Sequence, residues 1–268
     1  LEDVRDDCYL VTKTHAPAPE VARQHVEQSL KNFRTDRIDC VRMHCPPLAD
    51  YAFRVLDELE KLRDEGKIVN LGMSNHINFE TAFKLIDSER LDEVLLAKCY
   101  FPKGMREIVS QHNAAWLDRC VARAHELGMN VIGMKALGAG TLTPKARSFT
   151  VADEDMKRRI PGAAIRQAYS DERIHLYAIG CIQRSDVDAN VEIFSDNLSY
   201  RDEDRQLLAA WCTKAWESED YQKLPEPYKR PGDPVYIDSV TRRVLDGYKA
   251  TSGIDLYPEV YVTEADFG

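Results

Sequence analysis

The chain reads as an α/β protein of the (β/α)8 barrel type, with about six parallel strands present and a C-terminal helical and irregular extension. Three observations predict this. Six short β-branched or apolar runs alternate with longer amphipathic stretches between Cys8 and Ile179. Polar residues close most of those runs: Lys13, His44, Ser74-Asn75-His76 and Lys135. In a barrel such ends converge on one face. Finally, no Gly-x-Gly-x-x-Gly follows an early strand, as a doubly wound dinucleotide domain requires.

The elements follow in order. Cys8–Lys13 is predicted as the first strand, and Pro17–Phe33 as a helix with Val21, Val26 and Leu30 on its apolar positions. Ile38–His44 is the second strand. Ala52, Val55, Leu56, Leu59 and Leu62 keep the spacing of one helix face, and Gly66 ends that helix. Ile68–Met73 is the third strand, Phe79–Ile86 a helix, and Glu93–Tyr100 the fourth strand. Ala114–Leu127 is helical up to Gly128, Asn130–Met134 is the fifth strand, Gly162–Tyr169 is part of a helix, and Ile174–Ile179 is the sixth strand. Residues 1–195 form the barrel-like part. Residues 196–268 form an extension expected to pack on it. Asp204, Leu207, Leu208, Trp211, Cys212 and Ala215 mark one helix there. Pro225, Pro227, Pro231 and Pro234 then break the chain, and residues 233–268 are acidic and aromatic with little periodicity.

Composition excludes several functions. With 44% hydrophobic and 30% charged residues the chain has material for a core, so global disorder is excluded. No apolar run reaches the roughly 18–20 residues of a membrane span. A net charge of -9 makes nucleic acid a poor partner. The 7 cysteines are scattered, with no Cys-x-x-Cys pair, which fits reduced thiols in a cytoplasmic protein. No metal site is expected. Oligomeric state is not readable.

Tyr9-Leu-Val-Thr-Lys13, Ser29-Leu30 with Thr35-Asp-Arg-Ile-Asp39 and Met43-His-Cys-Pro46, Leu59–Gly66 with Leu71-Gly-Met-Ser-Asn75, Asn130–Gly140, and Gly180–Asn190 occur in one order and spacing. Together they resemble the aldo-keto reductase superfamily from about Tyr9 to about Asn190. The resemblance implies hydride transfer between a nicotinamide cofactor, NADP or NAD, and a small carbonyl compound. It makes Lys13 and His44 catalytic. In the family, a tyrosine protonates the carbonyl oxygen, with its pKa lowered by the neighbouring lysine, and an aspartate pairs with that lysine. Those two residues lie around the family's second strand, which would fall before Leu1, so a chain truncated at its N-terminus is expected.

The resemblance also supplies a cofactor set: Ser74 and Asn75 for the carboxamide, Met134 where many relatives stack a tyrosine on the nicotinamide, and Lys135, Leu137 and Gly138 for the pyrophosphate loop. Gly180, Arg184 and Asn190 belong to the final segment. Gly138 and Gly140 suit close approach of backbone to phosphate. Ala97 stands where the family has a glutamine. Asp186 stands where some relatives place an arginine and would repel a 2′-phosphate, with Arg184 as a substitute. The bland readings are solvated strand-end groups and plain turns, and Asp36 and Asp39 are read as turn-stabilising. Two alternatives stay open. One is a nucleotide-binding protein without turnover. The other is a metal-dependent barrel hydrolase using His15, His44, His76 and Lys135.

Overall fold

The computed structural model describes residues 2–100, 111–143, 153–217, 235–237, 239–259 and 261–262. Six parallel strands follow one another in the hydrogen-bonded order β1 (Val11–Thr14), β2 (Ile38–His44), β3 (Ile68–Asn75), β4 (Glu93–Ala97), β5 (Asn130–Met134) and β6 (Leu176–Ala178). The helices between them are α1 (Pro19–Phe33), α2 (Ala49–Asp64), α3 (Phe79–Asp87), α4 (Gln111–Glu126) and α5 (Glu154–Tyr169). After β6 come α6 (Arg184–Ser195), α7 (Asp202–Glu217), β7 (Val235–Tyr236), α8 (Ser239–Ser252) and β8 (Tyr261–Val262). Among the described residues, no helix is long and apolar enough to cross a membrane.

The chain divides into two compact units. The first holds Leu1–Leu95, His112–Asn130 and Arg230–Gly268, and the second holds Leu96–Gln111 and Val131–Lys229. Each unit draws on the stretch after residue 195, α7 in the second and α8 in the first.

In the first unit, α1 opens with Pro19, whose fixed φ suits a first helical turn. It buries Ala22, Val26 and Leu30. Helix α2 buries Ala52, Val55, Leu56, Leu59 and Leu62, the spacing legible in the sequence. Gly66 turns the chain out of α2 at φ +76°, a left-handed conformation that costs glycine little. Strand register then fixes which side chains share a face. Lys13 pairs with Arg42 and Arg42 with Gly72, while His44 pairs with Ser74 in the next row but one. Gly72 is needed in its row. A Cβ there would lie 3.0 Å from Arg42 Cγ, 3.0 Å from Glu93 Cγ and 3.1 Å from Cys40 Sγ. The absent side chain leaves room for a buried ion pair, Arg42 Nε to Glu93 Oε1 at 2.5 Å. Cys40 Sγ and Tyr9 Oη also donate to the Glu93 carboxylate, at 2.9 and 3.2 Å.

In the second unit, β5 and β6 pair through Ile132–Leu176, Gly133–Tyr177 and Met134–Ala178. Gly133 has the tightest fit in the chain's sheet, because a Cβ there would meet the Tyr177 ring at 2.2 Å. Helices α5 and α7 share a core of Leu142, Ile160, Ala163, Ala164, Leu207, Leu208 and Trp211. The Asp153 carboxylate caps α5 by accepting from the Met156 amide at 2.8 Å.

The helix that holds Gly162–Tyr169 spans Glu154–Tyr169 and carries Pro161 inside it. The segment Gly180–Asn190 runs into α6, which begins at Arg184. One expectation needs correction. The tail is not irregular throughout. Helix α8 spans Ser239–Ser252 and buries Thr241 and Leu245. Strands β2 and β5 match their expected bounds, the other strand ends differ by at most three residues, and β3 runs on to include Ser74 and Asn75.

Candidate active site

Strand ends in the first unit gather the polar groups singled out in the sequence. Lys13 Nζ donates to Ser74 Oγ at 3.0 Å, reaching across β2 from β1 to β3. Register explains the reach: both residues stand on the sheet face that carries Arg42 and His44. The Lys13 pKa is lowered, first by burial and then by the neighbouring Arg42 charge. More than a third of Lys13 is exposed, so water tempers that shift. Ser74 and Asn75 are fully buried. The Asn75 side chain accepts from the Ile77 amide at 2.8 Å and donates to the Asn78 carbonyl at 3.3 Å. It therefore shapes the turn that carries His76.

Three imidazoles lie side by side here. The His15 and His44 ring centroids are 4.2 Å apart, and those of His44 and His76 are 5.2 Å apart. Cys45 follows His44 with φ +45°, a left-handed backbone at a residue that has a Cβ and precedes Pro46. Such a conformation costs about 1–3 kcal/mol and persists only where its surroundings hold it. Here the Cys45 amide donates to the Ser74 carbonyl at 2.8 Å. The Cys45 thiol ends 3.9 Å from His44 Nε2. Helix α8 covers the other side of this cluster. Thr241, Val244 and Leu245 close a space beside His15 and His44 of about 10 Å³, roughly one water. The Tyr248 hydroxyl fastens α8 to α1 by donating to Glu20 Oε1 at 3.2 Å.

The second unit offers a cleft of about 1450 Å³. It is lined by Met134, Lys135 and Leu137 at the end of β5, and by Gly180 and Asn190 after β6. Gly138 is buried rather than lining it, and a Cβ there would meet Thr141 Oγ1 at 2.2 Å. Ala139, at φ +53°, and Gly140 line the cleft beside it. The amides of Gly138, Gly140, Thr141 and Leu142 are used inside this turn, on the carbonyls of Lys135, Leu137 and Gly138. Arg184 does not line the cleft; it stands exposed, 4.0 Å from Asp188. Asp186 has a structural task. Its carboxylate accepts from the Ile182 and Gln183 amides at 3.0 and 3.1 Å, closing a capping box on α6. Asn190 Nδ2 donates to Cys181 Sγ at 3.2 Å.

Sequence reasoning passed over the cleft's arginines. Arg158, Arg159, Arg166 and Arg201 line it. The run Lys157-Arg158-Arg159 was the available signal, but it reads as an ordinary solvated helix face. All four have a carboxylate partner: Arg166 pairs with both Asp204 oxygens at 2.6 and 2.8 Å, Arg158 and Arg159 with Asp155 at 2.7 and 3.1 Å, and Arg201 with Asp196 at 3.5 Å. Elsewhere in this unit, Lys98 and Arg173 both pair with Asp171, whose carboxyl is held well below the usual range, chiefly by the Arg173 hydrogen bond.

Residues 1–177 match the sequence profile of the aldo/keto reductase family. The aflatoxin B1 aldehyde reductase member 2 of Rattus norvegicus is 24% identical over 170 residues, covering 62% of this chain and 45% of that protein. Its Mus musculus counterpart is 27% identical over 142 residues, covering 53% of this chain and 36% of that protein. The chain thus spans about half the length, or less, of the curated relatives it matches. Among solved structures, the holo form of aldo-keto reductase AKR11C1 from Bacillus halodurans superposes with a TM-score of 0.58 at 19% identity. That match covers 77% of this chain and 73% of the other. The glycerol dehydrogenase AKR11B4 from Gluconobacter oxydans gives a TM-score of 0.56 at 18% identity, covering 88% of this chain and 78% of the other. These structural likenesses are to the fold; the profile match over most of the chain settles the family. The chain belongs to the aldo/keto reductase family.

Proposed function

We propose that the protein reduces an aldehyde or ketone with a nicotinamide dinucleotide, NADP or NAD, using Lys13 and His44 of this chain. The observation that carries the reading is the Lys13–Ser74 hydrogen bond at 3.0 Å, on the same sheet face as His44. It puts an ammonium and an imidazole at strand ends, the positions the family uses for acid–base chemistry. The fit to a dinucleotide rests on the second unit, where a cleft of about 1450 Å³ bears guanidinium groups that suit an anionic diphosphate. Met134, Lys135, Leu137, Gly180 and Asn190 would hold the cofactor there. Gly138 would serve by shaping the turn, while Arg184, exposed outside the cleft lining, would contribute little. Ser74 and Asn75, fully buried in the first unit, would act there by holding Lys13 and the turn after β3.

When bound, the reduced nicotinamide supplies hydride. This chain's groups do the rest. His44 donates a hydrogen bond to the carbonyl oxygen and orients it. The Lys13 ammonium stabilises negative charge as it develops on that oxygen, and favours the ionised form of a proton donor beside it. Ser74, fully buried, holds Lys13 in place.

The alternative that the test separates is nucleotide binding without turnover. The test is a titration with NADPH and NADH followed by unfolding temperature, then cofactor oxidation with a panel of aldehydes and ketones. Stabilisation with turnover supports the reductase, and stabilisation without turnover supports the alternative. Lys13→Met is expected to lower kcat/KM by about 10²–10⁴-fold while leaving nucleotide affinity within a few-fold.

A further inference from the structure

We propose that His44, Cys45 and His76 form a site for a borderline-soft divalent cation such as Zn²⁺, with His15 beside them as a further ligand, and that filling it withdraws His44 from carbonyl chemistry. The ligand atoms of His44, Cys45 and His76 all lie within 4.8 Å of one another. Imidazole nitrogen and thiolate sulfur are the donors such an ion prefers. A tetrahedral ion with bonds of about 2.0–2.3 Å draws its ligands closer than that, so side-chain rotations complete the site. The backbone already favours this. The left-handed Cys45 and its amide bond to the Ser74 carbonyl hold the thiol 3.9 Å from His44 Nε2. His76 is fixed from the other strand by the turn that Asn75 builds. The His15 ring lies 4.2 Å from that of His44, outside the three-residue set, and would have to turn to supply a fourth ligand.

The chemistry balances simply. As the sulfur–metal bond forms, the thiol proton leaves to solvent, and the imidazoles bind as neutral rings. The ring nitrogen facing Cys45 is then committed to the metal, and the ring no longer turns to a carbonyl oxygen. This second part rests on the reductase reading; metal binding itself does not.

The test uses Co²⁺ as a visible stand-in for Zn²⁺ on the full chain. We expect one equivalent to bind with thiolate-to-cobalt charge-transfer absorption, displaced by Zn²⁺. Cys45→Ser abolishes that absorption, and His76→Asn and His15→Asn each raise Kd by about 10-fold or more. Absorption that persists in Cys45→Ser assigns the ion to another thiol, such as the exposed Cys8 or Cys181, and overturns the site. Should Cys45→Ser not fold, an unchanged Kd in His76→Asn overturns it equally. One equivalent of Zn²⁺ is expected to stop carbonyl reduction by the wild type and to spare Cys45→Ser. Full activity in the zinc-loaded wild type overturns the inhibitory part. A chain inactive under every condition overturns the reductase reading and leaves the absorption test standing.

Discussion

The strand-end cluster of the first unit and the cleft of the second hold their polar groups by different means. In the first, strand register and burial fix each group. Arg42, Glu93, Ser74 and Asn75 are at most 9% exposed, and each has a bonded partner. In the second, the cleft's arginines are anchored by ion pairs, largely buried at Arg166–Asp204 and exposed at Arg159–Asp155, and α6 buries no residue. The lesson is that the first site resists change throughout its supporting rows, while the second resists it chiefly at Arg166–Asp204 and where it meets the sheet.

That contrast can be broken in order of effect. Removing Glu93 leaves the Arg42 charge buried without its partner, so Glu93→Ala is expected to cost about 3–5 kcal/mol in denaturant unfolding. A cost below 1 kcal/mol would mean that water reaches Arg42 and that the first site is not locked by burial. Gly133→Ala forces a methyl group into the Tyr177 ring and is expected to cost about 1–3 kcal/mol. The double variant Gly133→Ala, Tyr177→Leu should recover part of that loss. Asp171 gives a pH signature. Arg173 and then Lys98 hold its carboxyl below its unfolded value, so its contribution is complete above about pH 4 and drains away as pH falls through the folded value. Asp171→Asn is expected to lose about 1 kcal/mol at pH 7, after solvent screening, and nothing at the acid end. Equal losses at pH 7 and in acid would assign the effect to packing. The smallest effect is at Arg184, which stands exposed outside the cleft lining. Arg184→Ala should change the ratio of NADPH to NADH affinity less than about 3-fold; a larger change would show that this side chain reaches the nucleotide.

Much of the first unit was legible in the sequence because its signals are local. The leucine spacing of α2, the glycine after it and the polar residue closing each strand all depend on a few neighbours. Lys13 and Ser74 could be named singly, and their hydrogen bond follows from register. The juxtaposition of Cys45 with His76 was not legible, because 31 residues separate them and only the β2–β3 pairing brings them together. The partnership of Arg42 with Glu93 was hidden for the same reason. Helix α8 was missed because the preceding prolines suggested an irregular tail, although Val240, Val244, Leu245 and Tyr248 carry helical spacing. The cleft arginines were hidden by an ambiguity of charge, since a basic helix face reads the same whether it meets solvent or an anion.

Helix α6 carries Asn190, yet it is only 12 residues long and buries none of them. A free helix of that length is marginal in water. The Asp186 capping box and the Phe194 ring against Tyr169 supply local support, at the two ends of the segment. Its amides should therefore exchange with deuterium sooner than those of α5, which shares a core with α7. A ligand that grips Asn190 must first still this helix, so part of its intrinsic affinity is spent on ordering. A substitution that strengthens α6 far from any ligand atom should then tighten binding by slowing release.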